Sequence, residues 1–564
     1  MSSTTVASSA SRGAVLNLVR RLHFYIGLFV APFIFVAALT GVLYVLTPQI
    51  ENILYADALT TQPQGAQKPL SAQVAAARAR VGETVKIYAV RPAPGATDTT
   101  RVQFVSPDLG ESESRSVFID PYTLQVKGDM TVYGTSGVLP LRMWIDKLHR
   151  GLLLGDVGRN YSELAASWLW IAALGGLALW LGNRPRRQAK KARGRFAVTR
   201  HWHITLGLVL LGGLVFFSAT GLTWSQWAGN NVNKMRTELG WLTPQVTTTL
   251  DRFAPAEPVA PHADHHASMN GMVMKQTDSN RANADWDRVL NAARNAGIQA
   301  NKIELRQPKK PGSAWTVTEV DRSWPTQVDA VSVNPDNFSI VDHVMFKDFP
   351  LVAKLTRWGV DAHMGILFGL PNQLVLAAFG MGLCAMIVLG YRMWWLRRPA
   401  APIVSPSQTL VASWLALPHL WKGLSLAVAL ALGYCLPVMG FSLLIFMSID
   451  IIRWERQDKI SVRPPLTAPV GQTRAQTQPT LARKKEKRQF LIAVSIIALI
   501  ACSVITQAII GGAIDQYHIP FSDWSLQLYV TQIMMIVLYT GVFTGLFSVP
   551  LWYFFLGDKA EPQP

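Results

Sequence analysis

Four uninterrupted apolar runs decide what this chain can fold into: residues 24–46, 164–181, 204–227 and 374–396. At 1.5 Å per residue each run crosses a hydrocarbon core of roughly 30 Å, and inside that core a helix satisfies its own backbone N–H and C=O groups. All four are expected to be transmembrane helices. The first exceeds the apolar core of a signal peptide and no small-residue cleavage pattern closes it, so it reads as retained. With 50% hydrophobic and 16% charged residues, the chain is too apolar for a water-soluble protein of 564 residues.

The formal net charge of +18 does not point to nucleic acid, because the basic residues gather where apolar runs end. Arg20 and Arg21, the stretch 184–195 (RPRRQAKKARGR), Arg397 and Arg398, and 483–488 (RKKEKR) are placed as topology determinants. The positive-inside rule puts the N-terminus and the loops 184–203 and 453–489 in the cytoplasm, and the polar segments 49–162 and 229–372 outside. The apolar stretch 410–452 has basic residues at both ends, so it is expected to cross twice, turning near 434–437. Two more spans, 490–514 and 526–556, bring the expectation to about eight, with both termini inside. The expected domain order is a tail and first helix (1–48), outer segment (49–162), second helix (163–183), basic loop (184–203) and third helix (204–228). A second outer segment (229–372), a fourth helix (373–397) and the four C-terminal helices follow. Cys384, Cys435 and Cys502 all lie in apolar runs, and there is no C-x-x-C-H, so a haem would be held without a covalent bond.

The chain repeats itself. Leu22-His23-Phe-Tyr-Ile-Gly27 aligns with Trp202-His203-Ile-Thr-Leu-Gly207, and in both copies Thr-Gly follows the histidine by seventeen residues, at Thr40-Gly41 and Thr220-Gly221. Trp144, His149, Gly151 and Gly155 recur with identical spacing as Trp358, His363, Gly365 and Gly369. Each repeat contains two spans, so the copies run parallel. The outer segments look duplicated as well, with expected helices at 71–80 and 286–296 and strands at 116–120 and 330–334. Those strands end at Asp120-Pro121 and Asn334-Pro335. The fold class is a polytopic α-helical membrane protein carrying two small α+β modules outside the membrane.

Three elements together resemble the PepSY-associated transmembrane family over residues 15–398: L-H-x-x-x-G with its distant Thr-Gly, L-H-R-G-L-L-L-G at 148–155, and V-F-I-D-P-Y-T at 117–123. The resemblance implies a bacterial inner-membrane protein with PepSY-like modules in the periplasm. It further implies haem, and reduction of ferric siderophores.

Coordinating groups at membrane depth point to function. His23 and His203 start the first and third helices, and His149 and His363 precede the second and fourth. A bis-imidazole haem takes one histidine from each of two elements. Parallel copies therefore predict two b-type haems, one held by His23 and His203 on the cytoplasmic side, the other by His149 and His363 outside. Arg20, Arg21 and Arg150 are candidate partners for the propionates. Trp144 and Trp358, five residues before each outer histidine, are candidates to pack on a porphyrin. His201 and His419 compete with His203. Apart from these, His262, His265 and His266 with Met269, Met272 and Met274 combine imidazole and thioether donors suited to copper or another transition metal.

The leading expectation is an oxidoreductase that takes electrons from a reductase or quinol and reduces a ferric siderophore, or another metal chelate, in the periplasm. No G-x-G-x-x-G appears in a strand-turn-helix context, so the electron donor is expected to be separate. Two alternatives stand beside it: a haem-free PepSY-type regulatory or peptide-binding membrane protein, and a copper or iron transporter.

Overall fold

The computed structural model describes residues 2–110, 112–183, 194–250, 279–396, 409–461, 478–517 and 520–556. Helix α1 (Ser2–Tyr25) runs through a π-helical turn, Ile26–Val30, into α2 (Ala31–Val45). After α3 (Leu70–Val81) come strands β1 (Ile87–Arg91), β2 (Thr100–Phe104), β3 (Glu113–Ile119) and β4 (Val126–Tyr133), then α4 (Pro140–Gly151) and the long α5 (Gly155–Gly182). The second half begins with α6 (Arg195–Val209) and α7 (Leu211–Thr223), which meet at a bend of 58°. It continues with α8 (Trp227–Glu238), α9 (Ser279–Asn295), β5 (Ile303–Arg306), β6 (Trp315–Glu319), β7 (Ala330–Val333) and β8 (Ile340–Val344). Helices α10 (Leu351–His363) and α11 (Gly369–Leu396) complete it. The C-terminal part holds α12 (His419–Cys435), α13 (Pro437–Ser461), α14 (Gln478–Tyr517) and α15 (Leu526–Leu556).

Six described helices are long and apolar enough to cross a membrane, and the bent pair α6/α7 makes a seventh if counted as one span. The chain is a polytopic helical membrane protein. The region 410–452 breaks at Leu436, whose φ of −124° and ψ of 78° fit the restriction that Pro437 imposes on the residue before it. Its first half differs from expectation: Leu410–Leu415 forms a separate short helix, which leaves α12 only 17 residues. At 1.5 Å per residue α12 is about 25 Å long, short of a full hydrocarbon core.

Both expected α+β units are present, and they are fused. All eight strands form one antiparallel sheet in the order β4-β3-β2-β1-β5-β6-β7-β8, with Val90 of β1 facing Leu305 of β5 at the seam. Sharing a sheet places both outer segments on one side of the helices. Alternation along the strands sets the two faces. Val90, Val102, Leu305 and Val317 are fully buried against Val74 and Ala77 of α3 and Trp286 and Val289 of α9. Arg91, Arg101, Glu304 and Thr316 point the other way, toward the helix bundle.

Side chains from one half fix the other. The Asp287 carboxylate on α9 accepts the backbone N–H groups of Leu70 (2.7 Å) and Ser71 (3.1 Å), capping α3. Across the seam Glu304 accepts from Arg91 at 2.6 and 2.8 Å and from Arg306 at 2.7 Å. The acid and amide before the two prolines close turns: Asp120 accepts from the N–H of Tyr122 (2.8 Å), and Asn334 from that of Asp336 (2.9 Å). Within the bundle, Trp168 of α5 is 1% exposed and donates to Ser442 of α13 at 2.9 Å. The α14/α15 hairpin docks on the first half of the chain, with Ile505 and Ile509 buried in the bundle core and Phe543 and Phe547 on the ring of Phe33.

Candidate functional site

The four repeated histidines come together as two pairs, one at each end of the bundle. On α1, His23 directs Nδ1 at the carbonyl of Ala172 in α5 (3.0 Å); on α6, His203 directs Nδ1 at the carbonyl of Met386 in α11 (2.9 Å). A helical carbonyl has a second lone pair free for such a bond. The next turn is glycine in both cases, which leaves the ring room against the helix. A Cβ at Gly176 would lie 3.3 Å from Cε1 of His23, and one at Gly390 would lie 3.5 Å from Cε1 of His203. The two imidazole centroids are 6.5 Å apart with ring planes at 80°. Imidazoles bonded directly to each other would sit near 5 Å. Two imidazoles flanking one metal ion at about 2 Å would have centroids about 6 Å apart, allowing about 1 Å from nitrogen to ring centre.

The second pair lies at the end nearer the sheet. His149 ends α4 and shares a hydrogen bond of 3.0 Å between Nδ1 and Thr40 Oγ1; His363 ends α10 and does the same with Thr220 at 2.6 Å. Each threonine has one hydroxyl proton, and each has a backbone acceptor four residues back, at Val36 O (2.7 Å) and Phe216 O (2.8 Å). The hydroxyl oxygen therefore accepts, and Nδ1 of the histidine donates. In all four histidines the bonded nitrogen is Nδ1, which leaves Nε2 aimed away from the anchoring group. Phe217 packs against His363 with centroids 5.0 Å apart. Burial, with His149 close by, pushes the His363 imidazole down to about 3, and burial lowers His149 too. Both are neutral at pH 7, the form in which imidazole ligates metals. Seventeen residues separate His23 from Thr40 along one rod, so the pairs stand about 25 Å apart.

The other candidates fall elsewhere. His201 and His419 are exposed. Arg20 is exposed and bonded to Asn17, Arg21 is half-buried beside it on α1, and Arg150 donates to the Tyr133 hydroxyl at 2.9 Å. Trp144 is 52% exposed, while Trp358 donates to Thr326 and packs on Trp324 and Phe346. The aromatic rings found on an outer histidine are instead Phe217 and Trp224, both against His363. His262, His265, His266, Met269, Met272 and Met274 lie outside the described residues. Among the described residues no group of three or more His, Cys, Asp or Glu side chains could hold a metal ion.

Between the sheet and the bundle opens a cavity of about 2870 Å³ that reaches His149 and His363. Its described lining holds thirteen Lys and Arg residues against seven Asp and Glu, so its field attracts anions.

The anchoring threonines were visible in the sequence only as a spacing, and the carbonyls of Ala172 and Met386 gave no side-chain signal. The matched Gly176 and Gly390, each four residues after its carbonyl, are the trace they leave. Comparison with known proteins divides the chain in two. A stretch of 74 residues is 45% identical to the uncharacterized protein YnaJ of Escherichia coli (strain K12), covering 13% of this chain and 87% of that protein. The YnaJ protein of Escherichia coli O157:H7 matches to the same extent. Residues 480–559, which contain most of α14 and all of α15, match a family described as protein of unknown function (DUF2534). Residues 20–397, holding both histidine pairs and the whole sheet, match the PepSY-associated TM region, and the chain belongs to that family.

Proposed function

We propose that this is a di-haem electron-transfer protein of the bacterial inner membrane, reducing Fe(III) to Fe(II) in a chelate held in the cavity on the periplasmic side. One observation carries the reading: four matched imidazoles are each anchored through Nδ1 with Nε2 turned away, His23 and His203 with their rings 6.5 Å apart and His149 close enough to His363 to act on its charge. Metal-ligating histidines have this arrangement, in which the outer hydrogen bond fixes the tautomer and aims the ligating nitrogen. The separation of His23 and His203 agrees with a metal between them. Gly27, one turn after His23, faces open space where a side chain would crowd a flat ligand.

Haem, when bound, would supply one-electron redox chemistry at two levels of the membrane. The chain's own part is to hold both levels in register. The rod α1/α2 carries His23 at one end and, at the other, the threonine that orients His149. The cavity reaches His149 and His363, so a chelate in it meets the periplasmic level only. A one-electron reduction there loosens the metal, because ferrous iron binds hard oxygen donors more weakly than ferric iron. The electron enters from a separate reductase or quinol at the His23/His203 end.

The matched anchors, the matched glycines and the symmetric strand order support reading residues 20–397 as two parallel copies of one unit. The α14/α15 hairpin lies outside that unit.

The purified protein tests the reading directly. A b-type absorption spectrum with two haems per chain in a pyridine haemochrome assay is expected; a folded, colourless protein refutes it. Thr40→Val and Thr220→Val remove an outer hydrogen-bond acceptor while keeping shape. Each is expected to weaken haem retention at the periplasmic level by about 10-fold or more, and to leave the other level unchanged. Haem titration of the apoprotein reads both values.

A further inference from the structure

We infer that Arg101 and Arg142 form an anion site in the cavity wall, and that the chelate it receives is net negative, with anionic oxygen donors facing the two guanidinium groups. The inference rests on the proposed reading only in taking the cavity as the substrate site. Arg101 comes from β2, on the face opposite Val102. Arg142 lies in the first turn of α4, seven residues before His149 and so on the same helix face, about 10 Å along the axis. A chelate at Arg142 is therefore close to the His149/His363 pair.

Neither cation has an ion pair among the described residues. The Arg101 guanidinium lies over the Phe118 ring at 5.2 Å, and its hydrogen bond, from Nη1 to Gly137 O, is long at 3.4 Å. Arg142 lies over Tyr44 at 5.2 Å, and its Nε is buried with no partner. The acids nearby are Glu51, Asp98 and Asp146. Glu51 accepts the backbone N–H of Arg142 (2.9 Å), and burial raises its carboxyl above the ordinary range against the opposing pull of both arginines. Arg91, next to Arg101, is occupied by Glu304 and adds positive field. Partly burying a guanidinium without a close ion pair is costly, so an arrangement that keeps two of them side by side in one cavity wall is explained when a ligand brings further negative charge.

Folding does not demand these arginines. The strand registers pair Val90 with Val102 and Leu305 with Val317 around the β1–β5 seam, so Arg101 corresponds to Thr316. Counting seven residues back from each histidine, Arg142 corresponds to Thr356. Both threonines also line the cavity. One half folds with threonine where the other carries charge, which makes Arg101→Thr and Arg142→Thr tolerable substitutions.

The test is calorimetric binding to full-length purified protein of gallium(III) citrate, which is anionic and redox-inert, and of a neutral gallium(III) tris-hydroxamate. The citrate complex is expected to bind the unaltered protein and to weaken at least 10-fold in each threonine variant; Arg142→Lys keeps most of the affinity, and the hydroxamate is unaffected. Failure of the citrate complex to bind, or equal binding by both variants and the unaltered protein, overturns the site. A carboxylate can also come from a haem propionate. If the variants lose haem while citrate affinity stays the same, the arginines serve the propionates and the inference is wrong. Gallium accepts no electron here, so the result stands whether or not the chain proves to be a reductase.

Discussion

Replacing either His149 or His363 by alanine leaves one haem per chain, and the haem lost is the same in both variants. The expectation follows from where each ring is anchored. Thr40 on α2 holds His149, and Thr220 on α7 holds His363, so in the proposed arrangement each half contributes one imidazole to a shared centre. A bis-imidazole centre that loses one ligand loses both the bond and the geometry that set its spectrum. His23→Ala and His203→Ala are expected to remove the other haem together, because their rings face each other at 6.5 Å. Redox titration with absorption detection separates the two centres, and the double variant of His149 and His363 should match each single one. Loss of different haems from His149→Ala and His363→Ala would contradict the pairing. A ratio of one throughout, including the unaltered chain, would contradict the count.

Glu304→Ala is expected to destabilise the outer sheet by about 3 kcal/mol at pH 7, the cost of leaving buried cations without their counter-charge. The Glu304 side chain is 6% exposed and Arg91 11%, so water does little to screen the pair. Burial would raise the Glu304 carboxyl, but the Arg91 and Arg306 guanidinium groups outweigh it and hold the carboxyl below the ordinary carboxylate range. The sign is therefore fixed. The contribution is fully present above about pH 4.3, the ordinary glutamate value, and is lost as pH falls through the lower folded value. Thermal melts of the unaltered protein should drop on acidification through that window. In the Glu304→Ala protein the drop should be smaller by this one group's share. Hydrogen exchange at β1 and β5 locates the effect: faster exchange confined to the seam is expected, and uniform loosening of the bundle would argue against it.

The legible part of this molecule was what spacing encodes. Apolar runs gave the spans, because a helix in lipid has no other way to satisfy its backbone, and the recurrence of His23 as His203 and of His149 as His363 pointed to the four matched positions whose rings are anchored alike. Helix α3 and strand β7 were found where expected, since a run of helix-forming residues closed by Gly82 and alternating β-branched residues act locally. What spacing cannot encode is who lies beside whom. The β1–β5 seam joins residues such as Arg91 and Glu304 across 213 positions of sequence, and nothing in either strand names the other. The role of Thr40 was hidden for the same reason, because its partner comes from another element. Helix α12 came out short because Leu410–Leu415 turned aside as a separate helix, with Asp450 of α13 accepting the Val411 N–H at 2.8 Å. Arg101 and Arg142 were absent from the candidates because their interest lies in having no ion pair among the described residues, which only a folded surface can reveal.

The same seam sets an order of birth. Strand β1 leaves the ribosome long before β5 has been translated, and 213 residues at roughly 5 to 20 per second amount to roughly ten to forty seconds. Through that interval the first half presents an open strand edge, with Arg91 unpaired, to any other extended chain nearby. Synthesis of the second half must come before the sheet can close. A truncated or stalled nascent chain ending before Ile303 should be an aggregation-prone and protease-sensitive species, however well its helices have inserted.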